Sequence, residues 1–274
     1  MSILSRPTIA LLTDFGHRDH YVGVMKGVIA SIAPAARVID LCHEIPPQDV
    51  DAAAFMLMTS MRYMPEDTIF VCVVDPGVGS AREAIGVRCG RQILIGPDNG
   101  LFTLALGQHT AQDAVILDNP AYHILPVSQT FHGRDIFSPA AAHLAAGVAF
   151  EKLGGEKPLD TLTTLEELTP QRDGKELHGR VIHVDHFGNL ITNLSKDACD
   201  LLRGSAPGLR LELPDAHLSL DVLATFSDVS LGDAVAYSGS SGVLEIAIRQ
   251  DSAHEKLGVK KGARVIASPS YTSG

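Results

Sequence analysis

Three short apolar runs in the first hundred residues each lead into an aspartate and a glycine-containing turn. The runs are residues 9–12, 69–74 and 93–95, and the aspartates that follow them are Asp14, Asp75 and Asp98. Apolar runs of this length are typical of strands that are covered on both faces. Because ligands of open α/β sheets bind outside the carboxyl ends of the strands, we expect a functional site there. Ordinary turn chemistry is the competing interpretation, since aspartate before glycine or proline is common in turns.

The segments around these runs have the spacing of helices, and this alternation predicts the fold class. Apolar residues recur at helical spacing between residues 21 and 32, residues 51–61 are rich in alanine and methionine, and residues 140–149 are rich in alanine. Alternating strands and helices predict an N-terminal α/β domain with a largely parallel sheet, over residues 1–160.

The second part of the chain has a different texture. Residues 161–178 are mostly polar and predict a linker. From residue 179 to residue 274 the apolar segments are short, and glycine, proline and aspartate separate them. This pattern predicts a smaller C-terminal antiparallel domain that resembles a β-barrel.

The charge balance excludes some classes of partner. The chain has 22 lysines and arginines against 32 aspartates and glutamates, which gives a net charge of −10. A nucleic-acid-binding protein normally needs a basic face, so we expect no nucleic acid as a partner. We also expect no membrane association, because no apolar run approaches the roughly 18–20 residues that span a bilayer.

The cysteines and the first residues bear on location. The four cysteines, Cys42, Cys72, Cys89 and Cys199, form no CxxC pair. Unpaired cysteines are typical of a reducing compartment. Residues 1–6 lack the pattern of a secretion signal, and we therefore expect a cytoplasmic protein.

Asp75 and Arg82 are candidate partners in the first predicted domain. Seven positions separate them, and the loop between them contains Gly77 and Gly79. Such a loop can fold back and bring the guanidinium to the carboxylate, which would stay ionised and accept hydrogen bonds. The alternative is a surface ion pair of little energetic value.

His132 is the third candidate in this domain. It lies in the polar segment of residues 130–135, just before the alanine-rich helix. A histidine in a polar loop that contains glycine is compatible with catalysis and with a structural role, and the sequence alone leaves both open.

Two loops of the second domain are candidates for ligand binding. Asp185, Phe187 and Asn189 lie in one turn, where an aromatic ring could stack on a flat ring and an amide could bind its edge. The segment of residues 238–242 contains Ser240 and Ser241, and Glu245 follows in the next strand. Backbone amides of such a loop can approach a polar ligand. The alternative is a hairpin turn for the first loop and a plain flexible turn for the second.

Several cofactor fingerprints do not occur in the sequence. The chain has no GxGxxG, GxxxxGK[ST] or GxSxG motif, and it has neither HExxH nor a zinc spacing of cysteine and histidine. The pair His17 and His20 and the group His183, Asp185 and His186 are the remaining candidates for a metal site. On balance we expect neither a cofactor nor a metal.

Taken together, these motifs resemble a known family over nearly the whole chain. The matching segments are LLTDFGHRDHYVGVMKGVI, VVDPGVGSAR, GPDNGL, TFHGRDIFSPAAAHLA, DHFGN and SGSSGVLEIA. Their order and spacing are similar to those of the S-adenosylmethionine hydrolases. These enzymes are also called S-adenosyl-L-methionine hydroxide adenosyltransferases and are related to fluorinase and chlorinase enzymes.

The resemblance implies an activity, a fold and an assembly. It implies hydrolysis of S-adenosyl-L-methionine to adenosine and L-methionine, with an N-terminal α/β domain and a C-terminal domain like a β-barrel. It further implies a homotrimer whose ligand sites lie between the N-terminal domain of one subunit and the C-terminal domain of its neighbour.

The resemblance also implies roles for individual residues. The catalytic aspartate, arginine and histidine of the family fall on Asp75, Arg82 and His132, and the ribose-binding aspartate falls on Asp14. The adenosine contacts fall on Asp185, Phe187 and Asn189, and around Ser240, Ser241 and Glu245. Halogenating relatives lack the aspartate, arginine and histidine set, so hydroxide is the expected nucleophile here.

The implied reaction agrees with the chemistry of these side chains. The leaving thioether departs neutral, so the reaction requires chiefly a water held in line behind C5′ of the ribose. Asp75, Arg82 and His132 would hold this water, and Asp75 or His132 would accept its proton, a role typically worth ~10²–10⁴-fold. Three alternatives stay open: a halogenase on the same fold, an adenosine or S-adenosylmethionine sensor without catalysis, and a metal-dependent hydrolase.

Overall fold

The computed structural model describes residues 6–271, so most of the segment inspected for a secretion signal lies outside the described residues. The chain divides into two compact units, Met1–Leu165 and Glu166–Gly274. Each unit has its own hydrophobic core.

The first unit contains one six-stranded sheet. Its strands are β1 (Thr8–Thr13), β2 (Arg37–Cys42), β3 (Ile69–Val73), β4 (Ala84–Cys89), β5 (Gln92–Pro97) and β6 (Ala111–Ile116). Their order across the sheet is β2-β1-β3-β5-β4-β6. The four strands from β2 to β5 in this order are parallel, and β4 pairs antiparallel with both β5 and β6. The sheet is therefore largely parallel, as the sequence predicts.

Four helices cover the two faces of this sheet. They are α1 (Tyr21–Ile32), α2 (Val50–Met61), α3 (Thr103–Gln108) and α4 (Ser138–Ala145). Helices α1 and α4 pack on one face, and α2 and α3 pack on the other. Side chains alternate along β1, so Ile9 and Leu11 enter the first layer while Ala10 and Leu12 enter the second. Burial on both faces explains the continuous apolar runs.

Helix α4 ends earlier than the composition predicts. Residues 140–149 are rich in alanine, yet the helix stops at Ala145. Gly147 has a φ of +95°, a backbone conformation that glycine adopts readily and that commonly terminates helices. The Gly147 amide donates to the Leu144 carbonyl and closes this last turn.

The register of the sheet places two of the three aspartates at the same edge. Thr13 of β1 pairs with Val73 of β3 in the parallel ladder. Asp14 directly follows Thr13, and Asp75 follows Val73 by two positions. The carboxyl ends of neighbouring parallel strands thus deliver both side chains to one edge.

The second unit is a closed barrel, which confirms the predicted fold class. Its strands are β7 (Gln171–Asp173), β8 (Glu176–Val184), β9 (Leu190–Ser195), β10 (Gly208–Leu213), β11 (Leu218–Leu223), β12 (Ala234–Ser238), β13 (Val243–Ile248) and β14 (Arg264–Ser270). They follow the order β14-β10-β11-β12-β13-β9-β8-β7, and a further pairing of β14 with β8 closes seven of them into a ring. Only β11 and β12 pair in parallel among these described ladders.

Two short α-helices lie in the described part of the second unit, α5 (Lys196–Arg203) and α6 (Ala253–Leu257). The Ser195 hydroxyl caps α5 by accepting from the Ala198 amide, which satisfies a backbone donor of the first turn. Cys199 and Leu202 of α5 pack into the barrel core. In the described part of the chain, residues 6–271, no helix has both the length and the apolar character needed to cross a bilayer.

The third aspartate, Asp98, forms part of a buried ion cluster. The Lys157 Nζ atom lies 3.0 Å from Asp98 Oδ2 and 2.6 Å from Glu83 Oε2. Asp98 and Lys157 are nearly buried, whereas the Glu83 side chain is 40% exposed. The cluster joins the segment around Lys157 to the ends of β4 and β5.

We expect Lys157→Met to lower the free energy of unfolding by about 3 kcal/mol, because it leaves the buried Asp98 carboxylate without its cation. Chemical denaturation at neutral pH measures this loss. The matched control is Glu83→Gln, which removes the more exposed partner and should cost less than about 1 kcal/mol. Equal losses of stability in both variants would contradict the interpretation that the buried Asp98 carboxylate is the group that needs the Lys157 charge.

Candidate active site

Asp14 lies in the turn that follows β1. Its Oδ2 atom accepts a hydrogen bond of 2.8 Å from the Gln48 amide, and the turn brings the carboxylate next to the loop before α2. Burial raises the pKa of Asp14, and the nearby negative charge of Asp75 contributes to the increase. The Gln48 amide bond opposes this shift by stabilising the ionised form. The Asp14 carboxylate is thus held by the Gln48 amide at the edge of the sheet, close to Asp75.

Arg82 bridges Asp75 and His132. Its Nε atom donates to both oxygens of Asp75 at 3.0 Å, and its Nη2 atom donates to Asp75 Oδ2 and to His132 Nδ1, the latter at 2.7 Å. The Arg82 and Asp75 side chains are almost fully buried. The guanidinium also lies over the Phe137 ring, 5.4 Å from its centroid. The structure thus brings together the three residues that the sequence names as catalytic candidates.

A close backbone approach fixes the loop that carries Arg82 against the loop that carries His132. Gly79 has a φ of +76°, and a Cβ atom at this position would lie 2.5 Å from the Gln129 carbonyl oxygen. Only glycine satisfies both conditions without moving the backbone. His132 follows Gln129 by three positions and precedes a turn of π-helix, Gly133–Phe137.

The bridge determines the proton positions on His132. A guanidinium has donors only, so His132 Nδ1 must be the acceptor and the neutral ring carries its proton on Nε2. Burial lowers the pKa of His132, and the Arg82 charge lowers it further, while Asp75 and Asp135 oppose the shift. The ring is consequently neutral at pH 7, with its proton on the nitrogen away from Arg82.

These groups surround a cavity of about 400 Å³ in the first unit. Asp14, Asp75 and His132 line it together with an aromatic group formed by Phe15, Tyr21 and Phe131. The centroids of these three rings lie 5.2–5.9 Å apart. One wall of the cavity is thus apolar, while two carboxylates and an imidazole provide the polar contacts.

The third aspartate of the strand-end pattern does not share this cavity. Asp98 forms the ion pair with Lys157 described above and accepts a 2.8 Å hydrogen bond from the Thr163 amide. Asp98 thus has a structural role in the first unit. The expectation from the strand-end pattern, that it would share the site with Asp14 and Asp75, is wrong.

In the second unit, Asp185 organises the turn that carries Phe187 and Asn189. Asp185 Oδ1 accepts from the backbone amides of Phe187 and Asn189 at 2.9 and 2.8 Å, and its Oδ2 atom accepts from the Asn189 side-chain amide. The Phe187 side chain is 74% exposed. All three residues line a cavity of about 610 Å³, with Phe226 and Tyr237 on its aromatic wall.

Glu245 lies below the adjacent turn and supports it. Its carboxylate accepts from the Tyr237 hydroxyl and from the Ser241 hydroxyl, both at 2.9 Å, and the residue is 8% exposed. A Cβ atom at Gly239 would lie 1.8 Å from Glu245 Oε1, so the turn packs directly on this carboxylate. Ser240 belongs to the same turn between β12 and β13. Tyr237 links this group to the cavity, which it lines.

The histidine groups considered for a metal have other contacts. The His17 ring packs edge-on against His43, and His20 stacks on Tyr21. The His186 ring contacts Phe187. Among residues 6–271, no group of three or more His, Cys, Asp or Glu side chains is arranged to hold a metal ion.

Sequence reasoning missed several residues that form the two cavities. Gln48 binds Asp14 through its backbone and has a φ of +68°, and no residue pattern signals such a conformation. Tyr21 reads as part of an apolar helix face, although it lines the cavity. Tyr237 lies on the strand that precedes the serine-rich turn, and the antiparallel pairing of β12 with β13 places it opposite Glu245.

The chain matches two family models that cover most of its length. Residues 9–154 match the SAM hydroxide adenosyltransferase N-terminal domain, and residues 179–266 match the C-terminal domain of the same family.

Individual proteins are similar over almost the entire chain. The (R)-S-adenosyl-L-methionine hydrolase of Thermus thermophilus is 43% identical, with 94% of this chain and 98% of that protein covered. A fluorinase of Nocardia brasiliensis is 30% identical, with 95% and 96% covered. The crystal structure of an uncharacterised conserved protein from Thermotoga maritima superposes with a TM-score of 0.86 at 34% identity, with 95% and 99% covered. The chain belongs to the SAM hydroxide adenosyltransferase family.

Proposed function

We propose that this chain hydrolyses S-adenosyl-L-methionine to adenosine and L-methionine. The observation that carries the proposal is the Arg82 bridge between Asp75 and His132, two groups that line one cavity. Family membership supports the same reaction, and the Thermus thermophilus relative is named for it. Because that name specifies the (R) form, we propose the (R) sulfonium epimer as the substrate.

The reaction is an in-line displacement at C5′ of the ribose. The oxygen of one water forms a bond to C5′, the bond from C5′ to sulfur breaks, and the electron pair of that bond stays on sulfur. The cationic sulfonium becomes the neutral thioether of methionine, so the leaving group needs no acid. One proton leaves the attacking water, and a base near the cavity must accept it.

We assign this proton to Asp75. In the neutral ring of His132, Nδ1 already accepts from Arg82 and Nε2 already carries a proton, so the imidazole has no free acceptor for water. The Asp75 carboxylate lines the cavity and offers oxygen lone pairs. Arg82 stabilises the developing hydroxide character through its positive charge, and His132 keeps the guanidinium in place.

We propose that Asp14 of one subunit and the second unit of a neighbouring subunit bind the nucleoside. The Asp14 carboxylate accepts hydrogen bonds from the two ribose hydroxyls. Phe187 stacks on the adenine, and Asp185 and Asn189 bind polar atoms of the nucleoside. Ser240 and Ser241 form the turn beside it, and Glu245 of β13 supports this turn. The exposed Phe187 ring and the open cavity next to it support this arrangement.

The source of the 5′ oxygen is the first test of this mechanism. Turnover in ¹⁸O-labelled water should place the label on the 5′ oxygen of adenosine, and mass spectrometry of the product measures it.

Asp75→Asn should lower kcat by ~10²–10⁴-fold, because the variant cannot accept the proton. Adenosine should still bind to this variant, which calorimetry checks.

The same assay separates the competing functions. A halogenase would make a 5′-halogenated product and would depend on chloride or fluoride, whereas the proposed reaction proceeds in halide-free buffer. A sensor would bind S-adenosyl-L-methionine without forming adenosine. Loss of activity on treatment with a chelator would favour a metal-dependent hydrolase over this mechanism.

The pH dependence tests the role of His132. Because its pKa is lowered from the usual value of 6.5, the ring stays neutral as the pH falls through 6.5 and becomes charged only below that. Protonation places a hydrogen on Nδ1 against Arg82 and disrupts the bridge. The kcat/KM profile should therefore show an acidic decline with a midpoint below pH 6.5.

The matched variant is His132→Asn, whose side-chain oxygen can accept from Arg82 but does not titrate. This variant should retain part of the activity and lose that acidic decline. A decline of unchanged midpoint in His132→Asn would assign the titration to another group, such as Asp14.

We propose a homotrimer in which the first unit of one subunit faces the second unit of its neighbour. The family resemblance supports this assembly, and light scattering measures its mass.

We also propose that the protein acts in the cytoplasm. The four cysteines form no disulfide in the described part of the chain, which is typical of proteins of a reducing compartment. Cell fractionation should recover the protein in the cytoplasmic fraction.

Mixed trimers test whether two subunits complete each site. Asp75→Asn damages the first unit, and Phe187→Ala damages the second, so each variant alone should have low activity. In a mixed trimer isolated with two affinity tags, one interface of three combines two intact halves, so about one third of the parental activity per subunit should return. If both halves of a site belonged to one chain, mixing would restore nothing.

A further inference from the structure

A continuous chain of hydrogen bonds runs beneath the turn that carries Asp14. Thr13 is the last residue of β1 and is fully buried, and His43 directly follows β2 and is 1% exposed. The Thr13 Oγ1 atom lies 2.7 Å from His43 Nδ1. The other ring nitrogen, Nε2, lies 3.0 Å from Asp40 Oδ1, and Lys26 binds the second oxygen of Asp40 at 2.6 Å.

The donors and acceptors of this chain have one consistent direction when the His43 ring is neutral. The Asp40 carboxylate accepts hydrogen bonds, so the ring proton is on Nε2 and Nδ1 is left as an acceptor. The Thr13 hydroxyl then donates to Nδ1. Its oxygen in turn accepts from the Phe15 amide, at 3.3 Å. Each buried group in this series of hydrogen bonds thus has a partner, as buried polar groups require.

His43 also holds the other side of the turn through its backbone. The His43 carbonyl accepts a hydrogen bond of 2.7 Å from the Gly16 amide. The two amides that follow Asp14, those of Phe15 and Gly16, are therefore fixed by Thr13 and by His43 respectively. The Asp14 carboxylate itself accepts from the Gln48 amide. The contacts of the turn define where this carboxylate points.

We propose that Thr13 and His43 are positioning residues that hold Asp14 in the orientation needed to bind ribose. This inference rests on the proposed function, in which Asp14 accepts hydrogen bonds from the ribose hydroxyls. Neither side chain lines the cavity, so both act through the backbone on either side of Asp14. Because the proposed function assigns the ribose to Asp14 and the attacking water to Asp75, we expect the effect on affinity rather than on the chemical step.

The test compares Thr13→Val with Thr13→Ser. Valine has the shape of threonine but lacks the hydroxyl, so the Phe15 amide and His43 Nδ1 both lose their partner. Thr13→Val should raise KM and the adenosine Kd about tenfold, because Asp14 is then less well held in its binding orientation, while kcat changes less than about twofold. Thr13→Ser keeps the hydroxyl and should recover most of the affinity. Steady-state kinetics and calorimetry with adenosine provide the two readouts.

A double-mutant cycle distinguishes positioning from a general loss of stability. In the background of Asp14→Asn, which disables the carboxylate that Thr13 is inferred to orient, adding Thr13→Val should change the adenosine Kd little further. Full additivity of the two effects would overturn the inference. So would equal affinities in Thr13→Val and the parent, or equal defects in Thr13→Val and Thr13→Ser.

The outcomes also separate this inference from the proposed function. If Asp14→Asn leaves both KM and the adenosine Kd unchanged, the ribose role of Asp14 is wrong, and the positioning role falls with it. If Asp14→Asn weakens binding but Thr13→Val does not, only the positioning role is wrong. Should Thr13→Val fail to fold, the test uses Asp40→Ala instead, at the more exposed end of the series of hydrogen bonds. A folded Asp40→Ala with unchanged KM would then count against the inference.

Discussion

The site depends on one guanidinium that contacts a carboxylate and an imidazole at the same time. Arg82 can only donate, so it fixes Asp75 as an acceptor and His132 as a ring with a bare Nδ1. This single contact fixes the position of the Asp75 carboxylate and the tautomer of the His132 ring. It also joins two loops that are fifty positions apart in sequence. Removal of the guanidinium would leave a buried carboxylate beside an unoriented imidazole, which is why the bridge is more than a surface ion pair.

Much of the fold follows from where apolar residues lie, and the exceptions have physical causes. The runs that form β1 and β3 are visible because both of their faces are buried. Strand β9 is not visible, because Thr192 and Asn193 occupy buried positions and are satisfied by the carbonyls of Leu244 and Leu168. Those partners lie far away in the sequence. A polar residue in a core cannot be recognised until its partner is known.

The candidate site was predictable to the extent that it is local. Asp75 and Arg82 lie on one loop, and their spacing alone indicates an ion pair, which the structure contains. The sequence around His132 is compatible with a catalytic role and with a structural one. The family motif indicates catalysis, and the structure shows Arg82 as its partner. Asp98 looked equivalent to Asp14 and Asp75, yet Lys157 binds it instead. This partner follows it by fifty-nine positions, beyond the reach of any spacing argument.

Closure of the barrel has a consequence for how the protein behaves at high concentration. In the part of the second unit that the structure describes, the pairing of β14 with β8 leaves β7 as the terminal strand of the sheet. That strand has three residues, Gln171, Arg172 and Asp173, and all of them are polar and exposed. A free strand edge is a template for association with further chains, and short, charged edges resist it. The described part of this domain therefore offers little opportunity for strand-by-strand aggregation.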